Sequence, residues 1–241
     1  MSQQKRTWII VGATSIIAQE FAAIAAKNKH PLVLVGRNKE QLSLIASDLQ
    51  LRHKISCDIL VTDLSKKYDV LLQYITNSSI ESDLFLAHTT MVSNQELSAA
   101  TIQEVIHTNI LSTIEIIHTY LQKKQAEHHL LFLSSVAALR GRAKNSLYGA
   151  SKAAIEVYLQ GLQQQADKNT CITIARLGFI DTRLTFGEPG VFYASPPEAC
   201  ARACWKAVKN HKRVIYHPFF WRYIMAIIRH LPFFIYKKMK V

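Results

Sequence analysis

The chain has 241 residues, enough for one α/β domain with a sizeable core, and 49% of them are hydrophobic, which excludes global disorder. Its net charge of +12 is unevenly placed, because no acidic residue follows Glu198 while ten Lys or Arg do, so the C-terminal end suits an anionic partner such as membrane lipid or nucleic acid. Cys57, Cys171, Cys200 and Cys204 form no CxxC pair and no Cys/His zinc spacing. They read as reduced, buried thiols of a cytoplasmic protein, with a metal or redox role for Cys200 and Cys204, on one helix face, as the minor alternative. The N-terminus runs directly into an apolar strand, with no signal-peptide pattern ahead of it.

Trp8 to Val11 is predicted as the first strand, and the small-residue turn Gly12-Ala13-Thr14-Ser15 leads from it into a helix ending at Ala26. Strand, tight turn and helix together offer backbone N–H groups and a positive helix end to a pyrophosphate. Leu32 to Val35 is the second strand and ends at Gly36-Arg37. No acid stands there to accept from a ribose 2′-hydroxyl. Arg37 instead suits a 2′-phosphate, so NADP(H) is expected over NAD(H), with a solvated surface arginine as the bland reading. Gln41 to Leu51 is an amphipathic helix, and Ile55 to Val61 a third strand followed by Asp63-Leu64. Asp63 also suits the N-cap of the next helix. Leu84 to Ala87 is the fourth strand, followed by His88. Thr101 to Lys124 is one long helix with a polar amide, Asn109, among apolar neighbours. His107, His118, His128 and His129 have no carboxylate or Cys partner at ligand spacing and read as surface or interface residues.

The apolar run Leu130 to Leu133 ends at Ser134-Ser135, and Tyr148-Gly149-Ala150-Ser151-Lys152 opens the next helix. Tyr148 and Lys152 are one helical turn apart on the same face. An ammonium beside a phenol favours the phenolate, which brings a tyrosine into use as a general acid or base. Cys171 to Ala175 is a sixth strand leading to Gly178, Ile180 and Thr182. Arg183 to Ser195 reads as a mobile loop over the substrate, Ser195-Pro196-Pro197-Glu198 as a helix start, and Arg213 to Tyr216 as a seventh strand. Strand–helix alternation without repeats or linkers predicts one doubly wound parallel sheet over residues 1–217, with a tail over 218–241.

Ser135, thirteen residues, then Tyr148-x-x-x-Lys152 and Ala153-Ala154 resembles the signature of the short-chain dehydrogenase/reductase family. The resemblance covers roughly residues 7 to 183. It implies a Rossmann-like sheet of seven strands and hydride transfer between NAD(P)(H) and a carbonyl or alcohol. Ser135 would hydrogen-bond the substrate oxygen and Tyr148 would pass the proton. Lys152 would lower the Tyr148 pKa and bind the nicotinamide ribose, and Asn109 would complete the proton path. Gly12, Thr14, Ser15, Ile17, Arg37, Asp63, Leu64, Ala87, His88, Gly178, Ile180 and Thr182 fall at cofactor-binding positions. Of the family's three turn glycines only Gly12 remains. Ile16 replaces the second, which normally admits phosphate, and Ala18 replaces the third. This GATSxIA turn resembles a branch that includes reductases of keto-sugars on polyprenyl phosphate. Leu177 stands where the family usually has proline. The resemblance also implies a homo-oligomer. A dinucleotide-binding scaffold with little turnover is the competing function.

Phe219 to Tyr236 is mostly apolar, but Arg222, Arg229 and His230 interrupt it and Pro232 breaks it, so a spanning helix is not expected. With Lys237, Lys238 and Lys240 beyond, residues 219–240 read as an amphipathic basic helix on an anionic membrane surface. Packing on the parent domain and a dimer interface are the alternatives. Interleaved bulky aliphatics argue against nucleic acid. The substrate expected from tail and turn together is a lipid-linked or otherwise hydrophobic ketone or alcohol.

Overall fold

The computed structural model describes residues 5–182 and 193–239. Seven parallel strands form one sheet in the order β3-β2-β1-β4-β5-β6-β7. They are β1 (Thr7–Val11), β2 (Leu32–Gly36), β3 (Cys57–Val61), β4 (Ser82–Leu86), β5 (His128–Ser135), β6 (Thr170–Leu177) and β7 (Val214–His217). Helices α1 (Ile16–Lys27), α2 (Lys39–His53), α3 (Asp69–Asn77), α4 (Ala99–Ile106), α5 (Ser112–Gln122), α6 (Ser146–Gln165) and α7 (Pro197–Lys209) join them. The expected doubly wound architecture is therefore present. Strand order reverses between β1 and β4, which opens a crevice at their C-terminal ends.

Every residue of β1 is buried, as a strand covered on both faces requires. Alternation splits it. Trp8 and Ile10 join α1, α2 and α7 in one core, and Ile9 and Val11 join α3, α5 and α6 in the other. Phe21 of α1 meets Trp8 edge-on at 4.9 Å and Phe85 of β4 at 4.5 Å. Burying side chains of this size contributes about 1.5–3 kcal/mol each.

Several local expectations are corrected. The helix foreseen over Thr101 to Lys124 contains a wider turn at His107–Leu111, where Ser112 N–H donates to the His107 carbonyl. Asp63 does not cap α3, which starts six residues later with Tyr68 before it. Its carboxylate accepts from Ser65 N–H at 3.0 Å and from the Ser65 hydroxyl at 2.8 Å, closing a tight turn. Ser195 does not cap α7. Pro196 holds that position, and the Ser195 hydroxyl pairs with His217 Nε2 at 2.9 Å. His129 is not a surface residue, because its Nδ1 lies 3.1 Å from Asp83, which also accepts from Arg6 at 2.7 Å. His107 likewise turns inward, its Nδ1 lying 2.9 Å from the Leu64 carbonyl oxygen. All four cysteines are free and buried.

The tail forms α8 (Trp221–His230) and α9 (Phe233–Tyr236). Trp221 and Met225 bury themselves with Val136, just beyond β5. Arg140 holds the end of α8, donating through Nη1 to the Arg229 carbonyl at 2.7 Å and through Nη2 to the Leu231 carbonyl at 3.0 Å. A cation there satisfies carbonyls that a helix C-terminus leaves without intrahelical partners. The Arg140 guanidinium also stacks 4.3 Å from the Tyr236 ring. Among the described residues no helix is long and apolar enough to cross a membrane.

Candidate active site

The site assembles at the C-terminal edge of the sheet from the ends of β1, β4, β5 and β6. Gly12 ends β1 with φ +81°, and a Cβ there would lie 2.6 Å from the His88 backbone nitrogen. Only glycine lets this turn sit against the end of β4. Ser15 is the N-cap position of α1, so the turn through Gly12, Thr14 and Ser15 leads to the first N–H groups of that helix. Ile16 does not disturb the turn, because it begins α1 with its side chain 41% exposed. Ile17 and Leu64 are core residues, so what they offer a ligand is backbone.

Arg37 is exposed directly after β2. Burial opposes ionisation of Asp63, but the Ser65 hydrogen bonds and the nearby Arg37 and Lys66 bring its carboxyl below the usual range. Ala87 N–H donates to the Val11 carbonyl at 2.8 Å, binding the end of β4 to that of β1. His88 points inward, its Nε2 2.9 Å from the Thr113 hydroxyl. Burial, with the Lys152 charge, lowers its pKa to about 3, so it is a neutral hydrogen-bonding group. That excludes an imidazolium acid at neutral pH.

Ser135 ends β5, and its Oγ accepts from Ala137 N–H at 3.1 Å. Tyr148 enters in the first turn of α6. A Cβ at Gly149 would approach the Ala137 carbonyl oxygen to 2.8 Å, so the glycine lets α6 close on this turn. Desolvation raises the Tyr148 pKa above its usual value, opposed by a hydrogen bond with Ser135 and by the charge of Arg142. This differs from the expectation that Lys152 lowers it. Lys152 Nζ donates to the Leu133 carbonyl at 2.9 Å and lies 5.9 Å from the Tyr148 ring centre. Burial brings the Lys152 pKa down to about 7, against the opposing field of Glu156. Lys152, turned toward the Leu133 carbonyl, is not among the groups that shift the phenol.

Asn109 lies on the wider turn between α4 and α5. Its side chain accepts from Thr90 N–H at 2.7 Å and donates to the Thr90 carbonyl at 2.8 Å and to Ser151 Oγ at 3.0 Å. It therefore ties the segment after β4 to the helix carrying Tyr148 and Lys152. On the far side, Gly178 N–H donates to the His217 carbonyl at 2.9 Å. Ile180 is buried and bridges Ser195, and Thr182 is half-buried at the end of the described segment. The loop foreseen over Arg183 to Ser195 lies outside the described residues up to 192.

Three features escaped sequence reasoning. Glu156, one turn beyond Lys152, accepts from Ser134 Oγ at 2.5 Å and from Arg176 at 2.7 and 2.9 Å. Its helical spacing from Lys152 was a usable signal. Arg142, the cation whose charge acts on Tyr148, has no such spacing. Trp221 occupies the space beside Gly178, whose added Cβ would fall 1.9 Å from the indole nitrogen.

Residues 6–188 match the family model of the short chain dehydrogenase. The chain belongs to that family. It is therefore an oxidoreductase of a family that binds NAD(P). An uncharacterised oxidoreductase of Mycobacterium tuberculosis is 27% identical over 240 residues, covering 96% of each chain. A short-chain dehydrogenase from Sphingobium yanoikuyae, solved with NADPH, superposes with TM-score 0.82 at 18% identity, covering 94% of this chain and 96% of that one. A bulky-bulky ketone specific alcohol dehydrogenase from Comamonas testosteroni superposes at 0.81 with 18% identity, covering 95% and 96%.

Proposed function

We propose that the chain interconverts a hydrophobic ketone and its secondary alcohol with NADP(H). The observation that carries this reading is the convergence of Ser135, Tyr148, Lys152 and Asn109 on one side of the crevice whose other side is the Gly12 turn. The residues fit a dinucleotide. Gly12 keeps the turn narrow where a Cβ would strike His88, and α1 presents its N-terminus to a pyrophosphate. Arg37 supports a 2′-phosphate, as the end of β2 itself carries no acidic residue to accept from a ribose hydroxyl. The cofactor supplies the hydride.

The protein's own groups handle the proton. Ser135 Oγ donates to the substrate oxygen and holds it beside the Tyr148 phenol. Tyr148, kept protonated by its burial, donates its proton as that oxygen becomes an alkoxide, and removes it in the reverse direction. Lys152 steadies the end of β5 through Leu133 and would hold the cofactor ribose. Asn109 fixes α6 against the segment after β4. Aromatic rings cluster just beyond β6 and at the start of the tail, with Phe179 against Trp221 at 5.4 Å and Tyr193 against Phe220 at 5.9 Å. They favour a bulky apolar substrate, a lipid-linked one included.

Fluorescence titration with NADPH and NADH, alongside Arg37→Asp, tests the cofactor half. A preference for NADPH that disappears in the variant is expected, and equal affinity for both nucleotides in the wild type would overturn it. A ketone panel with NADPH tests the chemistry. Tyr148→Phe should lower turnover by about 10²–10⁴-fold with NADPH binding retained.

A further inference from the structure

The tail has two apolar faces, and the fold uses only one. On α8, Trp221 and Met225 point into the domain. Phe219, Tyr223 and Ile227, spaced by four, point outward and are 73%, 64% and 67% exposed. Beyond Pro232 the same exposure continues with Phe233 and Phe234, at 71% and 69%. Arg222 and Arg229 border the stripe and Lys237 and Lys238 follow it, all exposed. The stripe contains no carboxylate, since no acidic residue follows Glu198.

An apolar stripe of this length in water marks an interaction surface. Its charge selects among occupants. A second copy meeting it across a two-fold axis would bring arginines and lysines against the same cations. An anionic bilayer covers the aromatic and aliphatic side chains in its interface and meets the cations with phosphate headgroups. The face is also held in a fixed pose. Arg140 grips the carbonyls at the end of α8, the Tyr236 hydroxyl donates to the Gly141 carbonyl, and Trp221 is seated beside Gly178.

We propose that the outward face of α8 and α9 docks on an anionic lipid surface. Helix α8, seated through Trp221 beside Gly178 at the end of β6, would then hold that end of the sheet against the bilayer, where an apolar ketone would partition. The docking stands on the tail alone; the delivery of substrate rests on the function proposed above.

The test uses the full chain, since truncation would uncover the seat of Trp221. Co-sedimentation is measured with vesicles of phosphatidylcholine alone and of phosphatidylcholine with phosphatidylglycerol. Two variants accompany the wild type, Phe219→Ser/Tyr223→Ser/Ile227→Ser and Arg222→Gln/Arg229→Gln/Lys237→Gln/Lys238→Gln. Wild type should partition to the anionic vesicles at least about tenfold more than to neutral ones, and less as salt rises. Each variant should lose at least about tenfold. Reduction of a water-soluble ketone by NADPH should persist in the serine variant, and its melting temperature reports folding. Absence of wild-type binding to anionic vesicles, or equal binding by a folded variant, overturns the proposal. A fall in solution mass of the serine variant with no vesicle binding by the wild type makes the face an interface between copies instead, which also overturns it. If docking fails while NADPH turnover stands, only the membrane inference falls; if Tyr148→Phe retains full activity, the proposed function falls.

Discussion

Gly178→Ala should dislodge the tail helix, and the effect should vanish when Trp221 is absent. Gly178 has no positive φ, so an alanine there meets no backbone strain. Its cost is steric, because the new Cβ would lie 1.9, 2.2 and 2.5 Å from three atoms of the Trp221 indole. No carbon approaches to such distances, so the indole must leave its seat among Val136 and Met225. Overpacking of a well-filled site costs about 1–3 kcal/mol. For a chain of this length each kcal/mol lowers the melting temperature by roughly 2–4 °C, which gives a fall of roughly 2–12 °C. Trp221→Ala alone should cost about 3–5 kcal/mol. Adding Gly178→Ala to it should cost close to nothing, so the double-mutant cycle closes with a coupling of about 1–3 kcal/mol. Urea unfolding of the four proteins measures it, and limited tryptic cleavage at Arg222 and Arg229 reports release of the tail. Equal cost of Gly178→Ala in both backgrounds would refute the packing described here.

Glu156→Gln leaves Arg176 without its buried carboxylate and should destabilise by about 3–5 kcal/mol, read by the same unfolding assay; it also removes the charge that holds the Lys152 pKa up. Arg142→Ala removes a cation that favours the Tyr148 phenolate, so the phenol pKa moves further above its usual value. Carbonyl reduction uses the protonated phenol, and its alkaline limb in kcat/KM should therefore move to higher pH; a limb moving to lower pH would contradict the assignment. His88 has a folded pKa of about 3, below the value near 6.5 of an unfolded chain. The unfolded chain takes up that proton first, so stability should fall with pH from about 6.5 downward. In His88→Asn that part of the acid sensitivity should be missing from melting curves collected across the range.

The fold was readable because the strands are mostly short apolar runs alternating with helices, a pattern that a parallel sheet covered on both faces imposes. The reactive residues were readable for a different reason. Tyr148 and Lys152 lie one helical turn apart, and Ser135 ends the preceding strand, so local spacing encodes their meeting. Contacts between distant segments left no such trace. Asp83 and His129 are neighbours only because β4 and β5 lie side by side. Ser195 reads as a cap from its own tetrapeptide, yet it finds His217 across the sheet edge. The direction in which Lys152 points was equally hidden, because helical spacing places its Cα near Tyr148 and says nothing of the Leu133 carbonyl that competes for the ammonium.

That competition bears on how the site works. A phenol held above its usual pKa is protonated at neutral pH, and a lysine near pKa 7 carries only part of its charge there. Oxidation of an alcohol begins from the phenolate and needs a cation to stabilise it. Arg142 supplies part of that field from the loop before α6, and Glu156 opposes the loss of charge on Lys152. Arg142 also feels the Tyr236 phenol, so it stands where the tail joins the domain.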